Sequence, residues 1–373
     1  MVDGRQDRLT NRLVAALADY PWDALSAAKQ RASEHPDGIV DLSIGTPVDE
    51  TPQLAQDALA AAANSPGYPT VAGPVELRES IASYFARRQV TVDPSACLGT
   101  IGSKEFVAWL PTQLGLGPGD LVVVPTAAYP TYAVGATVTG CRVIAADDPA
   151  ALGDQRPALV WLNSPSNPTG RIMSTDELRS WVDWARERGS VIASDECYLD
   201  FSWDAPAVSI LTPEVSGGDH TGLLAVHSLS KIANLAGYRA GFVAGDPQLV
   251  ADLTLIRRHT GMMISRPVQQ AMIALLGTDD HVRAQCERYR QRRDLLGPAL
   301  RQAGFRIDHS QGSLYLWSTQ GTDCWQAVDR LAELGILVGP GEFYGADSGD
   351  HVRVALTSTD ERIAAAAQRL TTA

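Results

Sequence analysis

Four short stretches hold the residues able to do chemistry. HSLSKIANLAGYRAGFVAGD, residues 227–246, places one amine, Lys231, behind the hydroxyls of Ser228 and Ser230, and the guanidinium of Arg239 follows it. A lysine amine can form a Schiff base with an aldehyde, and serines with an arginine make a seat for a phosphate. Taken alone, such a lysine is more often a surface charge. In VIASDECYLD, 191–200, Asp195 and Glu196 stand directly after an apolar run, with Tyr198 beyond them. A carboxylate there is costly without a cationic or protonated partner, which separates Asp195 from an ordinary surface acid. NSPSNPTG, 163–170, reads by composition as a turn after a strand, the place where open α/β sheets bind ligands; Asn167 is thus placed to touch one. In IGSKEF, 101–106, Gly102 permits close backbone approach, and the N–H groups of Ser103 and Lys104 at a helix start attract phosphate, although the pattern alone fits a plain cap equally well.

Together these stretches supply a carboxylate, an asparagine with a tyrosine, an amine and a phosphate seat. That set is the complement pyridoxal 5′-phosphate requires, and its joint appearance at strand ends carries more weight than any one stretch.

The elements that must position these residues follow from patterning. Between 96 and 246, apolar runs at 121 (LVVVP), 141 (CRVIAA), 158 (ALVWLNSP), 191 (VIASDE), 223 (LLAVHS) and 241 (GFVAG) alternate with helix-like sequence. Several are apolar on both faces, as strands of a covered parallel sheet must be, so the fold class is α/β. One intervening helix is fully signposted: Ser174 and Glu177 form a capping box, Leu178, Trp181, Val182 and Ala185 make an apolar stripe, and Gly189 stops the helix. After about residue 250 the rhythm changes to a long arginine-rich helix and the strand-like GSLYLWS, GILVGPG and HVRVALT. The organisation expected is a large domain over 40–250 and a smaller α/β domain formed by 1–39 and 251–373.

Composition narrows the function classes. With 45% hydrophobic and 20% charged residues the chain is an ordinary globular one, and a net charge of −12 argues against a nucleic-acid partner. The N-terminal MVDGRQDRLTNRL lacks an apolar core, and no stretch reaches the ~20 apolar residues of a membrane span, so a cytoplasmic protein without membrane contact is expected. Five scattered cysteines with no paired spacing point to buried thiols rather than a metal site.

With these residues in view, the chain resembles the fold-type I pyridoxal-phosphate enzymes, and among them the class I/II aminotransferases of the aspartate aminotransferase superfamily. The likeness runs from SIGTP at 43 to HVRVALT at 351. It implies a large domain with a mainly parallel seven-stranded sheet between helices, plus a smaller α/β domain. It also implies Lys231 as the Schiff-base lysine, Asp195 as partner of the pyridine nitrogen, and Asn167 and Tyr198 on the ring's phenolic oxygen. Ser103, Lys104 through its backbone, Ser228, Ser230 and Arg239 would hold the phosphate, and Tyr129 would stack on the ring. Tyr68 matches a tyrosine that reaches the phosphate of a neighbouring subunit, which implies a homodimer with shared sites. Arg353 matches the arginine that grips the substrate α-carboxylate, and Gly45 a backbone contact beside it.

A closer likeness, carried by WLNSPSNPTGR, SLSKIANLAGYRAGFVAGD and DCWQAVDRLAELGILVGPGEFYG, is to the actinobacterial type of succinyldiaminopimelate aminotransferase. It implies N-succinyl-LL-2,6-diaminopimelate and 2-oxoglutarate as substrates, in lysine and diaminopimelate synthesis. Other amino donors (LL-diaminopimelate, aspartate, alanine, aromatic amino acids), a β-lyase and a non-catalytic cofactor-binding regulator are the alternatives. One departure is Ile232, where many such sequences carry serine, threonine or arginine. Arg266, Lys104 and Arg171 are candidates to clamp a distal carboxylate. The run from Ile232 to Tyr238 has no role legible in sequence.

Overall fold

The computed structural model describes residues 21–372, together with Leu13 and Leu17. Residues 1–20 of the expected segment 1–39, those two apart, lie outside the described residues.

Each of the six apolar runs becomes a strand of one sheet, and a seventh strand, drawn from CLGTI, joins at the edge. In chain order these are β1 (Cys97–Ile101), β2 (Leu121–Val124), β3 (Arg142–Ala145), β4 (Leu159–Asn163), β5 (Val191–Asp195), β6 (Leu223–Ser228) and β7 (Ala240–Gly245). Their spatial order is β1-β7-β6-β5-β4-β2-β3, with β7 antiparallel to both its neighbours and the other pairings parallel. The seven-stranded α/β architecture expected from the resemblance is therefore present.

Helices cover both faces of the central strands, which are buried along their length for that reason, whereas the edge strand β3 carries Arg142 and is largely exposed. Along β4 the side chains alternate: Val160 and Leu162 enter the core that holds Trp181 and Phe242, whereas Leu159 and Trp161 enter the core that holds Phe106 and Tyr132. The helix Thr175–Arg188 forms with the caps foreseen. The hydroxyl oxygen of Ser174 accepts from the N–H of Glu177 at 3.2 Å, the Glu177 carboxylate accepts from the N–H of Ser174 at 2.7 Å, and Gly189 closes the helix in the left-handed conformation.

A second, antiparallel sheet has the order β10-β11-β9-β8, built from β8 (Arg306–Asp308), β9 (Tyr315–Thr319), β10 (Gly339–Pro340) and β11 (His351–Ala355). Register sets Trp317 opposite Arg353 and Tyr315 opposite Ala355. The arginine-rich helix Asp280–Gln302 packs against Asp360–Thr372 and touches β8 and β9. The helices Pro247–Thr260 and Arg266–Leu276, although they follow residue 246, pack on β7 and its neighbours. Val40–Asp41 pairs in parallel with Ile336–Leu337, tying the chain just before SIGTP to the C-terminal part. Among the described residues no helix is long and apolar enough to cross a membrane.

Candidate active site

Parallel pairing brings three strand ends side by side. Asn163, the last residue of β4, lies in register with Asp195, the last of β5, and β6 ends next to them at Ser228. Asn163 folds the following turn: its side-chain N–H groups donate to the carbonyls of Asp195 at 2.9 Å and Pro165 at 3.3 Å, and its side-chain oxygen accepts from the N–H of Asn167 at 2.7 Å. This turn swings Asn167 over the strand ends. Asp195 is buried, and burial pushes its carboxyl above the ordinary 3.8 while hydrogen bonds from Cys197 and Tyr132 pull the other way. The Tyr132 hydroxyl donates at 2.8 Å and the Cys197 N–H at 3.2 Å. Among the described residues Asp195 has no cationic side chain in salt-bridge contact.

Tyr132 has no part in the sequence reading. It lies on the helix Thr131–Thr139, stacked on Trp161 with ring centres 4.9 Å apart and edge-on to Tyr129 at 5.7 Å. Its signal was its place in the same PTAAYPTY stretch, three residues after Tyr129.

Ser228 ends β6 and caps the single turn Leu229–Ile232, its hydroxyl oxygen accepting from the N–H of Ser230 at 3.1 Å. That turn delivers Lys231, whose amine donates to the carbonyl of Gly45. Burial holds this amine below the ordinary 10.5; the nearby cations Arg353 and Arg239 add to the effect, and Tyr315 and Cys197 oppose it. Arg239 has a left-handed backbone, and its guanidinium lies so close over Gly102 that a side chain at 102 would overlap it. Gly102 itself has φ of +69°, the left-handed conformation that favours glycine. Ser103 lies in the same first turn of the helix Gly102–Gln113, beside the Cys197 thiol. The helix start, Ser228, Ser230 and Arg239 therefore converge.

The run after Lys231 acquires a role. Asn234 adopts φ of +53°, and its side-chain N–H groups donate to the carbonyl of Glu50 at 3.1 Å and the Gln285 side chain at 3.0 Å. The lysine turn is thereby fastened to the segment that carries Gly45. Ile232, Ala233 and Leu235 pack inward.

The opposite wall comes from the second sheet. Arg353 is 3% exposed; one of its terminal nitrogens donates to the Asn167 side-chain oxygen at 2.8 Å and the other to the carbonyl of Ser43 at 2.7 Å. Its guanidinium lies 4.2 Å from the centre of the Tyr315 ring and 4.8 Å from that of Tyr344. Its Nε is buried without a hydrogen-bond partner, and among the described residues no carboxylate pairs with this cation. Tyr315 also meets the Tyr198 hydroxyl at 2.9 Å, and a side chain at Gly45 would collide with the Tyr315 ring. Sequence reasoning overlooked Tyr315, because nothing in GSLYLWS distinguishes it from a core strand residue.

Not every expected residue joins this group within one chain. Tyr68 stands 98% exposed. Lys104 and Arg266 are exposed, and Arg171 pairs with Glu177 beside the capping box.

The chemistry of the donor set fits pyridoxal phosphate. A buried acid with no cation, a buried amine held toward its neutral form, a helix start flanked by serines and an arginine, and a polar pair at Asn167 and Tyr198 each answer one part of that molecule. The orphaned Arg353 Nε answers a substrate carboxylate.

Known proteins agree with this reading. The profile of the family described as "Aminotransferase class I and II" matches residues 37–370. "Probable aminotransferase Rv1178" of Mycobacterium tuberculosis is 58% identical over 359 residues, covering 96% of this chain and 86% of that one. "4-Dedimethylamino-4-oxo-anhydrotetracycline transaminase OxyQ" of Streptomyces rimosus is 54% identical over 356 residues, 95% of this chain and 99% of its own. Among solved structures, a "probable N-succinyldiaminopimelate aminotransferase" from Thermus thermophilus superposes with a TM-score of 0.85 at 29% identity, covering 95% of this chain and 100% of that one. Family and fold imply pyridoxal phosphate as the cofactor, and the chain belongs to the class I and II aminotransferases.

Proposed function

We propose that the chain transfers the amino group of N-succinyl-LL-2,6-diaminopimelate to 2-oxoglutarate, giving N-succinyl-2-amino-6-oxopimelate and glutamate, as a step of lysine and diaminopimelate synthesis. The observation that supports an α-carboxylate substrate most directly is Arg353, buried with only neutral partners and one unused N–H. A buried guanidinium without an anion is costly, and a carboxylate arriving with the substrate relieves that cost.

Pyridoxal phosphate supplies, when bound, an electron sink for the pair left behind as the substrate Cα–H bond breaks. Asp195 keeps a proton on the ring nitrogen; the positive charge there lowers its own carboxyl again, offsetting burial. Lys231, as a neutral amine, takes the proton from Cα and returns it on the other side of the transfer. Arg353 holds the α-carboxylate with a planar fork that lysine could not reproduce. Asn167 orients Arg353, Tyr198 would hold the phenolic oxygen of the bound cofactor, Ser103, the Lys104 backbone, Ser228, Ser230 and Arg239 would hold its phosphate, and Tyr129 would pack on its ring. A second copy would bring its own Tyr68 to the phosphate, which accounts for an aromatic ring left wholly in solvent by one chain.

A second reading is amination of a bulky cyclic ketone. It is favoured by the 54% identity to the tetracycline-intermediate transaminase, and by the aromatic surroundings of Arg353 in Tyr315, Tyr344, Tyr198 and Tyr129. Half-reactions with succinyldiaminopimelate, free LL-diaminopimelate, aspartate, phenylalanine and a polycyclic amine, followed by the cofactor's absorbance band, separate these. Succinyldiaminopimelate should rank first by kcat/KM; a polycyclic amine ahead of it would replace the first reading with the second. No band and no response to glutamate would end both.

A further inference from the structure

Immediately behind the site lies a pair of titratable residues that the proposed chemistry does not use. Glu196 and His227 follow and precede site residues directly, Glu196 after Asp195 on β5 and His227 before Ser228 on β6. Their side chains are 1% and 2% exposed and meet at 3.1 Å between Glu196 Oε2 and His227 Nε2. The other Glu196 oxygen accepts from the N–H of Ile210 at 2.8 Å. His227 Nδ1 faces the Tyr84 hydroxyl at 3.4 Å, and its ring stacks on Phe242 with centres 5.0 Å apart.

Hydrogen counting fixes how this chain of groups is wired. Asp200 is held by Arg88 at 2.8 Å and 2.5 Å and can only accept, so the single Tyr84 hydrogen, 2.8 Å from Asp200, is committed there. Tyr84 must then accept from His227 Nδ1–H. Both atoms of the remaining contact, Nε2 and Oε2, carry lone pairs, so it contains one hydrogen whichever partner bears it.

We infer that Glu196 and His227 are positioning residues, a one-hydrogen link that keeps the ends of β5 and β6, and with them Asp195 and the Ser228–Lys231 turn, in mutual register. The backbone ladder cannot do this by itself. Its last β5–β6 bond, from Glu196 N–H to the Val226 carbonyl, is made at 2.8 Å; past it β5 leaves the sheet, while β6 runs on to Ser228 paired with β7 alone. Stability alone does not account for the pair either, since apolar residues of similar volume serve a buried position as well or better. The inference rests on the roles proposed for Asp195 and Lys231.

Three variants of the holoenzyme test it. Glu196→Gln keeps the link, because the carboxamide still accepts from Ile210 and donates to His227; its kcat should stay within about threefold of wild type. Glu196→Ala and His227→Phe remove the link and should lower kcat by about tenfold to a hundredfold, the cost of a small misplacement, with KM for the amino donor changed less than about threefold. If Glu196→Ala does not fold, His227→Phe, which retains the stack on Phe242, carries the comparison. Independently of activity, histidine-labelled protein without cofactor should show the ring-nitrogen resonance of a hydrogen-bonded His227 Nε2 in wild type and Glu196→Gln, and of a free one in Glu196→Ala. The inference is overturned if both link-removing variants keep wild-type kcat, if Glu196→Gln is as impaired as Glu196→Ala, or if the wild-type resonance is that of a free nitrogen. A wild type that binds no cofactor would defeat the proposed function instead, and the resonance would then decide by itself whether the link exists.

Discussion

Arg353 and Arg292 are both almost fully buried, yet their surroundings are opposite. Arg292, on the helix Asp280–Gln302, meets Asp49 at 2.9 Å and 2.6 Å and Asp360 at 2.6 Å. Arg257 follows the same rule, with both oxygens of Glu105 at 2.9 Å. Arg353 has a carbonyl, an amide oxygen and aromatic rings, and nothing anionic among the described residues. Where an arginine serves the fold, the fold supplies its carboxylate; at Arg353 the counter-charge is left for a ligand to bring. The same holds in reverse at Asp195, a buried acid whose partners are a phenol and a backbone N–H.

Substitutions can break this contrast. The largest effect is expected at Lys231, the site's amine, which also has no acid beside it: Lys231→Ala should lower kcat by about 10⁴-fold in a glutamate half-reaction assay while leaving thermal unfolding close to wild type. Arg353→Met should cost about 10²–10³ in kcat/KM for amino acids and leave the ligand-free protein within about 1 kcal/mol of wild-type stability, read by denaturant titration. Arg292→Met should do the converse, destabilising by about 2–3 kcal/mol because Asp49 and Asp360 lose their shared guanidinium, although Arg288 at 3.3 Å and Gln285 at 2.8 Å still reach Asp49, with kcat/KM per folded molecule nearly unchanged. If the two variants behave alike, the contrast fails. A smaller change, about fivefold in kcat, is expected for Tyr132→Phe, which removes one hydrogen bond to Asp195.

The smallest effect is on pH dependence. Because burial raises Asp195 above 3.8, the folded ligand-free chain retains a proton that the unfolded chain has already released. Stability therefore falls as pH climbs from about 3.8 through the raised value. Lys231, held below 10.5, acts at the other end: the unfolded chain binds the extra proton, so stability falls as pH drops from about 10.5 through the lowered value. Denaturant titrations across pH should show the acidic-side slope flattened in cofactor-free Asp195→Asn.

How much of this was legible in sequence depends on the kind of pairing involved. Strands of the large sheet were readable because a strand covered on both faces must be apolar throughout, and their ends could be found because the chemistry sits where the apolar run stops. The edge strand Cys97–Ile101, short and interrupted by Gly99, gives a weak run, and its place beside β7 comes from a pairing far along the chain. Residues contributed by neighbouring strand ends were legible as local stretches. Those contributed by long-range antiparallel register were not: Tyr315 reaches Tyr198 and Arg353 only because β9 and β11 pair as they do, and Arg353 was found through resemblance rather than through its own surroundings. Tyr132 and the Glu196–His227 contact are side-chain choices inside otherwise ordinary core elements, and a sequence shows the residue without its partner. Asn234 is intermediate, since an asparagine in a glycine-like backbone conformation is a common turn device whose partners at Glu50 and Gln285 lie far away in the chain.

One consequence concerns redesign. The amine of Lys231 and the guanidinium of Arg353 both donate to carbonyls of one ribbon, those of Gly45 and Ser43. A main-chain oxygen cannot be deleted by point mutation. Substitution at Ser43 leaves its acceptor in place, and only at Gly45, where Tyr315 leaves no room for a side chain, does a coding change displace the ribbon. Both contacts thus survive a side-chain change at Ser43, and libraries aimed at new substrates can vary the pocket outside Lys231, Asp195 and Arg353 while keeping residues 43–45 constant.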